Sequence, residues 1–125
     1  MSDEAREKLL DHANNRRYQG ALNHYDIDHS VQSQTCSDWL RLTIQLDGSY
    51  NIAAIGWEGE GCPVSQASAS MLGEHLIGLP LIEVNTIRPD DILGMVGMSL
   101  SPQREKCALL SLQVLQEAVS IYMGE

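Results

Sequence analysis

Residues 39–46 alternate aliphatic and polar side chains, and no other stretch restricts the fold as tightly. Leu40, Leu42, Ile44 and Leu46 share one face of an extended chain, while Arg41, Thr43 and Gln45 share the other. Asp47-Gly48 follows, a pair suited to the left-handed backbone of a tight hairpin turn. Residues 50–58 are therefore predicted to return as an antiparallel partner. The run His24-Tyr25-Asp26-Ile27-Asp28-His29-Ser30-Val31 alternates enough to add a third strand. His24 and His29 lie an odd number of positions apart, so a strand turns them to opposite faces and they read as structural or exposed groups.

Helices are expected around this sheet. Residues 3–17 carry an apolar stripe of Leu9, Leu10 and Ala13, ended by Asn14-Asn15 and Gly20. His12 has no partner one turn on and reads as a hydrogen-bonded structural group. Residues 63–77 keep a helical period through Val64, Ala67, Met71, Leu72 and Leu76, with Ala67-Ser68-Ala69-Ser70 small enough for close approach of another backbone. Gly78 ends that helix, and His75 lies over three turns from Cys62. Arg88–Leu93 suggests a short helix, with Met95 and Met98 as core filler. The last helix starts at Pro102 behind an N-cap Ser101 and runs to Met123, burying Cys107, Leu110, Val114, Leu115, Ala118, Val119 and Tyr122. The fold class is α+β, a three-stranded antiparallel sheet packed against several helices with a long C-terminal helix. Residues 1–125 form a single domain, of a size that needs no disulfides to bury a core.

The formal net charge is −9 and the acidic residues are scattered along the chain, which argues against nucleic acid or an anionic membrane as the main partner. No apolar run approaches membrane-spanning length, and the first ten residues lack a signal-peptide pattern, so a cytoplasmic location is expected. Three cysteines cannot all pair, and in a reducing compartment they read as ligands or reactive thiols.

Each cysteine falls at a structural junction. Gly59 and Gly61 let the chain bend out of a strand, Pro63 starts a helix, and Cys62 sits at or beside the N-cap, where unsatisfied N–H groups favour a negative sulfur. Glu58 and Glu60 are expected to flank that turn. Cys36 precedes a strand and shares a face with Asp38 if the chain is extended there. Cys107 lies in an early turn of the last helix, next to Lys106, whose ammonium offsets surplus negative charge. Three thiolates and one carboxylate suit tetrahedral zinc or one edge of an iron–sulfur cluster. The spacing contains no CxxC pair, and it leaves buried, unreactive cysteines as the alternative. A small zinc hydrolase or redox enzyme would use the same ligands but needs a general base, and no HExxH motif is present.

The chain resembles the iron–sulfur cluster assembly scaffolds of the IscU, SufU and NifU type. The resemblance begins at Leu10-Asp11-His12 with Asn15, Arg17 and Gly20, and continues at Thr35-Cys36-Ser37-Asp38. It is closest at Glu58-Gly59-Glu60-Gly61-Cys62 followed by Ala67-Ser68-Ala69-Ser70, and ends at Lys106-Cys107-Ala108. It implies that Cys36, Asp38, Cys62 and Cys107 hold a nascent 2Fe-2S cluster or, in its absence, a zinc ion. It also implies sulfur delivery by a cysteine desulfurase, with Cys107 as the persulfide acceptor, and cluster transfer to apo-proteins. Ser37 stands where that family has glycine. Lys106 is similar to the SufU branch, whereas the 45-position step from Cys62 to Cys107 (107 − 62) matches the shorter IscU branch. At Leu100-Ser101-Pro102-Gln103-Arg104 little of the IscU chaperone-binding segment remains, so a dedicated Hsp70-type chaperone is not expected to read it. Scaffold and zinc-dependent sulfur acceptor stay as two readings.

Overall fold

The computed structural model describes residues 3–34 and 37–124. Helix α1 spans Asp3–Asn14, strands β1, β2 and β3 span Ile27–Gln32, Trp39–Leu46 and Ile52–Glu60, and helices α2, α3 and α4 span Pro63–Leu76, Pro89–Val96 and Pro102–Tyr122. A 3-10 turn at Leu81–Thr86 precedes α3. The strands form one antiparallel sheet in the order β1-β2-β3, as the alternation in residues 39–46 predicts.

Leu40, Leu42 and Ile44 point into the core from the central strand and are fully buried. Helix α4 crosses β1 and β2 on that face, and α2 packs against α4, α1 and β3. Burying each large aliphatic side chain stabilises the fold by about 1.5–3 kcal/mol, so this one layer contact sets the architecture. The small residues of α2 do what their size predicts: Ser68 Oγ donates to the Ala108 carbonyl at 2.6 Å, bringing α2 and α4 into close contact.

Several boundaries shift for identifiable reasons. Helix α1 stops at Asn14 because residues 18–20 are engaged by the edge of β3: Trp57 N–H donates to Tyr18 O and Gly20 N–H to Trp57 O. This strap also covers Thr43, which sequence alternation assigns to the polar face but which is fully buried, its hydroxyl accepting from Leu22 N–H. Strand β3 begins at Ile52 because the Asp47 carboxylate accepts from the N–H groups of Ser49 and Asn51, holding the turn past Tyr50. Glu58 and Glu60 lie within β3 rather than flanking a turn, and Glu58 pairs with Arg41 at 3.2 Å. Tyr122 is 42% exposed at the frayed end of α4 and does not join the buried stripe. Leu10 is likewise exposed.

His12 fastens α1 to α2. It is 4% exposed, with Nδ1 2.7 Å from Ser70 Oγ. Ser70 Oγ also accepts from Arg17 N–H at 2.9 Å, and His12 Nε2 lies 3.6 Å from the Glu74 carboxylate. Burial, then the nearby Arg17 charge, holds the His12 pKa below its ordinary 6.5, against the opposing pull of Glu74 and Asp11. The folded protein therefore resists a proton that the unfolded chain accepts. The His12 contribution is complete above about pH 6.5 and falls as pH drops through that value toward the lower folded pKa. Urea unfolding at pH 7.5 and 5.5 should show a loss at the lower pH that is smaller in His12→Gln; equal losses in both proteins would contradict this.

Candidate metal centre

Strand pairing assembles the site. Trp39 of β2 is paired with Glu60 of β3, so one step beyond the strand ends Asp38 comes opposite Gly61, immediately before Cys62. Cys62 is the N-cap residue of α2 with an extended backbone, and Pro63 supplies the first helical residue, as the sequence predicts. The corner is fixed by two hydrogen bonds to the Cys62 carbonyl, from Ser65 Oγ at 3.0 Å and from Gln66 N–H at 3.2 Å. Helix α4 brings Cys107 from the other side. Its start is set by Ser101, whose hydroxyl accepts from Arg104 N–H at 3.3 Å. Cys107 thus lies in the second turn, 4% exposed.

Donor atoms of Asp38, Cys62 and Cys107 all lie within 4.8 Å of one another. They form the only such group of three or more metal-ligating side chains among the described residues. Cys36 and Thr35 lie outside the described residues. His12, His24, His29 and His75 take no part in the group; His29 pairs with Glu117 at 3.2 Å and His75 is exposed. Glu58 and Glu60 also stand apart from it, so among the described residues Asp38 is the carboxylate that meets the thiols.

These residues fit a soft divalent metal or an iron–sulfur unit. Asp38 is 7% exposed, and its Oδ2 is buried without a hydrogen-bond donor among the described residues. Leaving such an oxygen unmatched costs about 1–3 kcal/mol or more, a cost that a cation removes. The two thiols that meet this carboxylate supply the soft donors that zinc and iron–sulfur units select. One side of the corner is apolar: Cys107 packs with Val64, Met71, Val96 and Ala108, and Met98 and Leu9 close over them. Lys106 is exposed on the outer side, lining a cleft of about 700 Å³ with Gln32, Ser33, Gln34 and Gln113.

Gly61 and Ser65 also touch this corner, Gly61 against Asp38 and Ser65 on the Cys62 carbonyl. Gly61 was legible as a turn glycine, but its apposition to Asp38 depends on the β2–β3 register, which residue spacing does not reveal.

Known proteins similar to this chain are scaffold and sulfurtransferase proteins. The chain is 34% identical to the zinc-dependent sulfurtransferase SufU of Bacillus subtilis (strain 168), over 92% of this chain and 88% of that protein. It is 26% identical to the iron–sulfur cluster assembly scaffold protein IscU of Thermotoga maritima, over 90% of each. In fold it is similar to the crystal structure of a SUF-system scaffold protein from Fervidobacterium islandicum AW-1, with a TM-score of 0.76 and 23% identity over 90% of this chain and 94% of that one. The NifU-like N terminal domain family matches residues 4–125. Since that match takes in the whole sheet, all four helices and every cysteine, the chain belongs to the NifU-like N-terminal domain family.

Proposed function

We propose that this chain is an iron–sulfur cluster assembly scaffold. It takes sulfur from a cysteine desulfurase, holds a nascent 2Fe-2S cluster as cargo on Cys36, Asp38, Cys62 and Cys107, and passes the cluster to apo-proteins. The observation that carries this reading is the convergence of Asp38, Cys62 and Cys107, remote in sequence, with donor atoms within 4.8 Å of one another. Soft thiols provide affinity; a hard carboxylate makes the weaker bond through which cargo can be exchanged. A zinc ion held by the same residues would favour their thiolate forms. The chain's own residues do the rest. The strand ends and the α2 N-terminus fix Asp38 and Cys62, and the apolar wall around Cys107 keeps bulk water from one side.

Sulfur acceptance is assigned to Cys107. Its thiolate attacks the outer sulfur of the desulfurase persulfide, forming a new S–S bond on Cys107. The S–S bond of the donor breaks, and the donor cysteine leaves as a thiolate. Because Cys107 is 4% exposed, its side chain must turn outward for this attack.

A second reading is supported by the SufU relative and by exposed Lys106 beside the site: a zinc-dependent sulfur acceptor that relays sulfur without stable cluster assembly. Anaerobic reconstitution with iron and sulfide separates the two. A scaffold develops the visible absorption of a 2Fe-2S cluster; a pure relay retains zinc and develops none. After incubation with desulfurase and cysteine, mass spectrometry should find the persulfide on Cys107. Finding it solely on Cys36 or Cys62 would overturn that assignment. Asp38→Ala should slow handover of zinc or cluster without lowering the melting temperature of the metal-free protein, since it removes an unmatched buried oxygen. Equal handover rates in variant and parent would count against the role given to Asp38.

A further inference from the structure

Taking the metal-binding function proposed above as its basis, we infer that Gly61 is the positioning residue that makes Asp38 a ligand. The ends of β2 and β3 bring the two residues face to face, and the carboxylate lies directly against the bare Cα of Gly61. A Cβ built there would sit 2.7 Å from Asp38 Cγ and 2.9 Å from Asp38 Oδ2, and would also strike Ser65 Oγ. Separations this short do not occur between packed atoms, so either the corner or the carboxylate must move.

The corner is the less able to yield. Ser65 is fully buried and hydrogen-bonded to the Cys62 carbonyl, and Gln66 N–H donates to the same oxygen. On the other side, the backbone of Asp38 is held by Ser33 N–H, which donates to its carbonyl at 2.8 Å, and by the Trp39–Glu60 pair next to it. On the Asp38 side chain, Oδ2 has no donor among the described residues, so the carboxylate is the part of this contact best able to swing. A methyl at position 61 therefore displaces the carboxylate and leaves the backbone frame standing. Gly61 contributes no donor atom. It acts through Asp38, by leaving empty the space from which that carboxylate reaches the thiols.

Cobalt(II) is the probe, because its visible bands respond to the number of thiolate and oxygen ligands. Four full-length proteins are compared: the parent, Gly61→Ala, Asp38→Ala and the double variant, each checked by circular dichroism and thermal melting. We expect the parent to give thiolate-to-cobalt bands and Gly61→Ala to give the altered spectrum of Asp38→Ala. Zinc handover to a chelator should slow in Gly61→Ala to the rate found for Asp38→Ala. On the Asp38→Ala background the same substitution should change neither spectrum nor rate. A parental spectrum in Gly61→Ala, or equal effects on both backgrounds, would overturn the assignment of Gly61 while leaving the metal site intact. A parent without thiolate-to-cobalt bands would overturn the site and this inference together. If Gly61→Ala does not fold, Gly61→Ala combined with Ser65→Ala, which removes the nearer obstacle, takes its place with the same expected outcomes.

Discussion

Exchanging Cys107 for serine is expected to lower zinc affinity by more than about a hundredfold, beyond the tenfold to hundredfold cost of losing a ligand's outer hydrogen-bond partner. The reason is chemical more than steric. Serine is close to cysteine in size, so α4 keeps its path. Its hydroxyl, however, stays protonated at neutral pH and offers a hard, weak donor where the site presents a soft one. Cys107 is held in the second turn of a helix fixed at its start by Ser101, within 4.8 Å of the other two donors, so no neighbouring thiol can take its place. The same variant should accept no persulfide at position 107. A competition titration against a chromophoric chelator checks the first expectation. Affinity within a few-fold of the parent would mean that Cys107 is a buried bystander.

Leu72→Ala is expected to have the largest effect on the fold, destabilising the metal-free protein by about 2–5 kcal/mol in urea unfolding. Leu72 is fully buried on α2, within the main core cluster that joins the sheet to α4. Removing its side chain leaves a cavity between layers whose backbones are already tied by sheet pairing and by the Ser68–Ala108 bond, so collapse around the gap is limited. Because α2 also delivers Cys62, saturating zinc should stabilise parent and variant alike, by about 4 kcal/mol at a thousandfold excess over Kd. A loss below about 1 kcal/mol would show that this layer contact does not carry the fold.

The sheet was legible because Leu40, Leu42 and Ile44 alternate with polar residues; Asp47-Gly48 marked the reversal, but the left-handed residue of the turn is Tyr50 (φ 61°), not Gly48. The α2 and α4 starts were legible because Pro63 and Pro102 each follow a suitable cap. Thr43 was misjudged because alternation within one strand carries no information about the strap of residues 18–22 that folds over it from elsewhere. Tyr122 was misjudged because helical period runs to the last residue of α4, where the side chain is 42% exposed and period carries no information about cover. At the site, residue types alone named Asp38, Cys62 and Cys107 but allowed unreactive buried cysteines equally well. Spacing could not separate the two, since the donors meet only through the β2–β3 register and the α2–α4 packing.

The most direct measurement is X-ray absorption at the zinc edge of the full-length protein loaded with one equivalent of zinc. Three sulfur neighbours and one oxygen neighbour are expected, with the sulfur count falling to two in Cys107→Ser and the oxygen signal changing in Asp38→Ala. A shell of nitrogen and oxygen alone, or a sulfur count unmoved by Cys107→Ser, would contradict the claim that these residues share one metal.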